Sequence, residues 1–179
     1  MSKPHSPIVI RESQPDDITD IQRIYAHHVQ NGTASFEEVA PDTEAMAVRR
    51  QAVLELGAPY IVAERDGVVH GYAYATGFRP RSAYRYTVEN SIYVEPQATG
   101  MGIGSKLLST LIERCTDLGY RQMIAVIGGS QNLASINLHK RHGFEPAGQL
   151  NATGYKFGAW VDTVIMQRAL GPGDDSLPD

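Results

Sequence analysis

Between residues 88 and 94 the chain alternates in the period of a strand, with Val88, Ile92 and Val94 on one side and Glu89, Ser91 and Tyr93 on the other. Pro96 ends that ladder. Apolar residues then recur at helical spacing, Leu107, Leu108, Leu111, Ile112, Cys115 and Leu118, in a helix opened by Ser105 and Lys106. Between strand and helix, Gly100, Gly102 and Gly104 stand at alternate positions and leave the backbone amides of residues 99–104 unshielded. Strand, glycine loop and helix N-terminus together make a cradle for an anion.

The same reading places a first strand at residues 8–11 and a helix carrying Ile18, Ile21, Ile24, Tyr25 and Val29, introduced by the capping and turn residues 13–17 and ending near Asn31 and Gly32. Residues 33–42 hold one large apolar side chain, Phe36, which either fills the core or is presented by a loop. Asp42 and Thr43 cap a second helix that closes at Gly57. Residues 60–64 and 68–75 form a hairpin about an Asp66-Gly67 turn, with His70 as a structural residue. A polar linker, 79–86, leads into the central strand. After the glycine helix come a strand over 122–127, a loop over 128–132, a helix from Ala134 to His142 and two closing strands flanking Asn151-Ala152-Thr153-Gly154. The order β-α-α-β-β-β-α-β-α-β-β mixes hairpins with crossover helices, so the expected fold is α/β (α+β), a mixed sheet with helices on both faces.

At 179 residues, 42% of them hydrophobic, the chain is expected to form one domain over residues 1–170, followed by a disordered tail over 171–179, rich in Gly, Pro, Asp and Ser. A net charge of -4 and the lack of a lysine or arginine run argue against a nucleic-acid partner. The single cysteine, Cys115, lies on an apolar helical stripe and reads as core. With no eighteen-residue apolar run and no signal-like start, a soluble cytoplasmic protein without a membrane partner is expected. No metal is expected.

The identity of the anion is narrowed by what the loop lacks. A nucleotide-hydrolase loop ends in Gly-Lys-Ser/Thr, whereas Gly104 is followed by Ser105-Lys106-Leu107; a dinucleotide fingerprint needs G-x-G-x-x-G and a later acid, and neither is present. A glycine turn that serves only tight strand-to-helix packing stays open. The stretch resembles the acyl-coenzyme A loop of the GNAT acetyltransferases, Arg/Gln-x-x-Gly-x-Gly/Ala followed by an apolar pair, through Gly102-Ile103-Gly104 and Leu107-Leu108. Thr99 stands where that pattern has Arg or Gln. The element order over residues 7–170 also resembles the GNAT fold, which implies a central mixed, largely antiparallel, splayed sheet and acetyl-CoA as co-substrate.

Acetyl transfer from a thioester needs a grip on pyrophosphate, a base, an oxyanion donor and a proton for the departing thiolate. The amides of Thr99, Gly100, Met101, Gly102, Ile103, Gly104 and Ser105 are candidates for the first. The resemblance implies backbone groups of a splayed strand through Ile92, Tyr93 and Val94 for the third, with an amide near Val94 facing the thioester oxygen. Glu89 is the candidate base, provided that burial raises its pKa. His139, where the GNAT pattern usually has tyrosine, is the candidate acid, its ordinary pKa near ~6.5 allowing it to hold a proton. His142 reads as an exposed cap. Asn132 either hydrogen-bonds the pantetheine or caps the last helix.

Longer stretches, Phe78 to Glu89, Ala125-Val126-Ile127-Gly128, His139 and Gly154 to Asp162, resemble the phosphinothricin and methionine sulfoximine/sulfone acetyltransferase branch. That resemblance implies catalysis by Glu89 and His139, a small L-amino-acid acceptor with a tetrahedral, oxygen-bearing side chain, and a homodimer. Arg79 and Arg81 suit the acceptor's anionic groups, and Phe36, Tyr84 and Tyr93 are candidate pocket walls; Trp160 reads as packing or interface. Other classes remain. A polyamine or antibiotic acetyltransferase wants acidic pocket residues, which Glu37 and Glu38 supply; a protein N-terminal acetyltransferase wants a peptide groove; a coenzyme A sensor needs neither Glu89 nor His139.

Overall fold

The computed structural model describes residues 6–178; the first five residues and Asp179, which the expected domain, tail and leader-free start include, lie outside them. The elements run β1 (Val9–Glu12), α1 (Ile18–Asn31), α2 (Thr43–Glu55), β2 (Tyr60–Arg65), β3 (Val68–Gly77), β4 (Thr87–Val94), α3 (Ile103–Asp117), β5 (Gln122–Gly128), α4 (Leu133–Arg141), β6 (Glu145–Lys156) and β7 (Ala159–Ala169). This is the order expected. The strands form one sheet, β1-β2-β3-β4-β5-β7-β6, in which only the β4–β5 pair is parallel.

Both faces of the central strands are covered. Ile61, Ala63, Ala73, Ala75 and Val88 pack with Leu107, Leu108 and Leu111 of α3, while Tyr60, Val62, Tyr72 and Tyr93 point the other way, against Ile21, Ile24 and Val29 of α1 and Val53 of α2. A strand buried on two faces reads as a continuous apolar run, which is the character of residues 60–63. Cys115 is in the core, its thiol pushed up to about 12 by burial. Leu118 is exposed, because it caps α3 instead of continuing its stripe.

The pairing of β4 positions the site. β4 meets β5 only over Thr87–Asn90 and Gln122–Ala125, after which β4 continues beside β3 to Val94 and β5 beside β7 to Gly128. The two strands therefore part beyond Asn90. Thr87 O accepts from Phe78 N and Glu95 N donates to His70 O, so the odd-numbered backbone groups face β3 and those of Ile92 and Val94 face the opening.

One detail of the sheet differs from expectation. The closing turn is Phe157-Gly158, with φ of 53° and 75°, while residues 151–154 are a bulge inside β6. Ala152 there has φ 53° and donates its amide to Asp162 Oδ1 at 2.9 Å. The polar run Asn-Ala-Thr-Gly suits a bulge as well as a turn, since both use left-handed backbone. The segment after Gly171 forms turns, and the Arg121 guanidinium donates to the carbonyls of Gly173 and Leu177 and to Ser176 Oγ, each at 3.1 Å.

Candidate active site

The parting of β4 and β5 opens a cavity of about 570 Å³, floored by the two strands and closed at its ends by the glycine loop and α4. Gly102 caps α3 with φ 77°, a backbone that only glycine adopts without strain. This turn starts α3 at Ile103, two residues before the expected Ser105, and aims its first amides at the cavity mouth. Thr99, Gly100, Gly102, Ile103, Gly104 and Ser105 line the wall; Met101 is exposed and lies outside it. The Ser105 hydroxyl is shared with His142 Nε2 at 2.8 Å, so His142 ties the start of α3 to the end of α4.

Ile92, Tyr93 and Val94 form the β4 side. His28 of α1 donates from Nε2 to Val94 O at 2.9 Å, which leaves the N–H as the Val94 backbone group free to face the opening. Burial pushes the His28 imidazole down, though the bond to Val94 opposes this, so at neutral pH the ring is a neutral donor.

His139 lies on the α4 side at 4% exposure, its ring edge-on to Phe144 at 4.9 Å. Nδ1 is 2.8 Å from Ser135 O and 3.5 Å from Ser135 Oγ; Nε2 is 3.0 Å from Asn90 Oδ1. Burial pushes its pKa down, the Ser135 carbonyl pulls it up, and His142 lowers it further. Asn132 caps α4, its Oδ1 accepting from Ser135 N at 3.3 Å, and also lines the cavity.

Glu89 stands at the fork on the opposite face of β4 from Asn90, outside the cavity wall, and burial raises its carboxyl above the ordinary range. Tyr74, across β3, feels the charges of Arg49, Glu89 and Glu37 and hydrogen-bonds Ser91, which gathers these groups on the α1/α2 face. Phe36 is partly exposed, its ring against Gly128 and Gly154. The loop bearing it is pinned by the buried Lys156, whose Nζ donates to Gly32 O at 2.9 Å and to Ser35 O at 2.6 Å. Arg79, Arg81 and Tyr84 are exposed on the turn before β4 and do not reach the cavity; Arg79 lies over Phe78, and Tyr84 is edge-on to it.

Among the described residues no group of three or more His, Cys, Asp or Glu gathers as metal ligands, and no helix is long and apolar enough to cross a membrane. The site thus joins a helix-terminus anion cradle to an open strand edge, with a half-buried carboxyl and a buried imidazole on its two flanks.

Comparison with known proteins gives that arrangement its family. The model of the acetyltransferase (GNAT) family matches residues 21–144. The chain belongs to the GNAT family. It is 55% identical over 170 residues to a phosphinothricin N-acetyltransferase of Alcaligenes faecalis, covering 95% of this chain and 86% of the relative. It is 40% identical over 172 residues to an L-methionine sulfoximine/L-methionine sulfone acetyltransferase of Salmonella typhimurium, with 96% and 99% covered. Among solved structures, a GNAT superfamily phosphinothricin acetyltransferase from Sinorhizobium meliloti, in complex with AcCoA, superposes with a TM-score of 0.93 at 48% identity, covering 96% and 93% of the two chains.

Within this GNAT domain the fold brings to the cavity polar residues to which the sequence reading assigned no role, His28, Asn90, Ser91, Ser135, Asn137 and Arg141. Asn90 carried a signal, being the polar residue on the face of β4 otherwise made by Val88, Ile92 and Val94. His28 falls on the stripe of Ile24, Tyr25 and Val29, where a polar side chain needs a partner across the core.

Proposed function

We propose that this GNAT protein transfers the acetyl group of acetyl-CoA to the α-amino group of a small L-amino acid analogue of the phosphinothricin, methionine sulfoximine and methionine sulfone class. The observation that carries the substrate class is the 55% identity to the Alcaligenes faecalis enzyme across nearly the whole chain. For the co-substrate, the support is the fit of the residues: open left-handed glycines at 100 and 102, free helix-terminal amides, and strand groups left without a β5 partner at Ile92 and at the Val94 N–H. Bound there, acetyl-CoA supplies the activated acetyl thioester and its thiol leaving group.

The chain's own residues take the remaining roles in this reading. The amides of Gly100 and of residues 102–105 would hold the pyrophosphate, those of Thr99 and Met101 being bonded to the carbonyls of Pro96 and Ala98 in the turn, and Asn132 would meet the pantetheine arm. The Val94 N–H, on a residue anchored by the His28 bond to its carbonyl, donates to an oxygen that gains charge in the fork. Glu89 takes the ammonium proton of the acceptor; its raised pKa brings it nearer the working pH, where a base is most effective. His139 delivers a proton from Nε2. Tyr93 and Phe36 wall the acceptor, while Arg79, Arg81 and Tyr84, exposed outside the cavity, would answer its anionic groups only through movement of the turn before β4. The exposed aromatic hairpin of β6 and β7 is the surface through which two copies associate in the cytoplasm.

Glu89→Ala and His139→Phe test the roles directly. Each is expected to lower kcat by about 10²-fold or more, with the Kd for acetyl-CoA within a few-fold of wild type by calorimetry. Loss of acetyl-CoA binding in Glu89→Ala, or full activity in His139→Phe, removes that residue from its role.

A further inference from the structure

The oxygens around His139 specify where its proton is held. Ser135 O, one helical turn back, takes the hydrogen of Nδ1 at 2.8 Å. Asn90 Oδ1 faces Nε2 at 3.0 Å, and the orientation of that amide is set by its other end, because Asn90 Nδ2 donates to Ile124 O at 3.1 Å. A carboxamide oxygen only accepts. A neutral ring with its hydrogen on Nδ1 would set two lone pairs against each other across 3.0 Å, whereas a proton on Nε2 turns the contact into a charge-assisted hydrogen bond. Asn90 is only 6% exposed, so water does not substitute for it.

The location gives this contact a purpose. Asn90 pairs with Ala125 at the last rung of the β4–β5 ladder, and its side chain crosses to the β5 backbone where the strands part. It therefore joins the apex of the fork to the imidazole of α4, and both Asn90 and His139 line the cavity. We propose that Asn90 is a positioning residue that holds the transferable proton on Nε2 of His139, facing the fork. The catalytic meaning of this rests on the acid role proposed for His139; the hydrogen bond does not.

Without that oxygen the ring keeps only the Ser135 carbonyl to set against burial, which disfavours its charged form. The surrounding charges do not replace it. Lys140, Arg141 and the capping His142 follow the ring along its own helix, Arg168 of β7 donates to the His142 carbonyl, and Lys106 of α3 adjoins the Ser105 that meets His142. All of these oppose a further positive charge. Glu89, the nearby acid on β4, projects from the other face of that strand, and β5 brings no charged residue.

The test is nitrogen-detected NMR on full-length protein labelled with ¹⁵N-histidine, read alongside the pH dependence of kcat. Asn90→Leu should move the protonation midpoint of His139 downward by about one pH unit or more, the loss of one hydrogen bond to a charged group. Asn90→Asp, nearly the same size, should move it upward by a similar amount, and the His142 midpoint should stay in place in both. The alkaline limb of the rate profile, where the acid loses its proton, should follow in the same directions with the Kd for acetyl-CoA unchanged. Should the leucine variant fail to fold, the aspartate variant decides alone. A His139 midpoint that does not rise in Asn90→Asp overturns the proposal. Midpoints that move while the alkaline limb stays fixed leave Asn90 as the holder of the ring and overturn the acid role of His139.

Discussion

At the scale of single residues, the site is a balance between burial and partners. Among the described residues Glu89 has no basic partner to offset its partial burial, so its carboxyl is raised, while His139 is lowered by burial and pulled back by oxygen acceptors. A base with a raised pKa loses activity on acidification at a higher pH than an ordinary carboxylate, so the acid limb of kcat should lie above about pH 4.3. The same shift has a cost to the fold. Because the folded carboxyl holds its proton more tightly than the unfolded one, its contribution to stability is complete below the unfolded pKa and is lost as pH rises through the folded value. Glu89→Gln should therefore be nearly inactive yet melt at a higher temperature than wild type at pH 8, with the difference vanishing near about pH 4. Calorimetric melting at the two pH values checks this; equal stability at both contradicts a buried, unpaired carboxylate.

At the scale of elements, the proposed acceptor wall depends on contacts distant in sequence. Lys156 at the end of β6 fixes the carbonyls of Gly32 and Ser35, and a side chain at Gly128 would collide with Thr33 O, so the loop after α1 is fitted closely to β5 and β6. Lys156→Met leaves two carbonyls without their donor, at a cost of about 1–3 kcal/mol each. It should raise the KM for the acceptor several-fold and speed amide exchange over residues 33–36, with the Kd for acetyl-CoA unchanged. An unchanged acceptor KM would remove this loop from the wall. Such contacts explain what the sequence did and did not disclose. The alternation about Ile92 and Val94, the three glycines and the order of elements are local patterns, and the sheet, the cradle and α3 followed from them. The fork itself depends on which strand neighbours β4, and Lys156 meets its partners more than a hundred residues away, so neither leaves a periodic trace. The closing turn was misplaced because Phe157 takes a left-handed backbone that its residue type does not advertise.

At the scale of the whole molecule, the sheet ends in a long hairpin whose tip is aromatic and open: Tyr155, Phe157 and Trp160 are 59%, 62% and 69% exposed, next to the edge strand β6. Exposed aromatics grouped on an edge mark an interaction surface. Sedimentation of the wild type should give twice the 19.6 kDa chain mass, and Trp160→Glu should shift it toward the single chain. A wild type that sediments as a single chain contradicts association through this hairpin.

The central claim, acetyl transfer to a small amino acid analogue, is tested most directly by thiol release from acetyl-CoA with L-phosphinothricin and L-methionine sulfoximine offered beside spermidine and a free-amine peptide. The account predicts turnover on the first two and background rates on the others. Turnover on spermidine or the peptide, with none on the amino acid analogues, would contradict it.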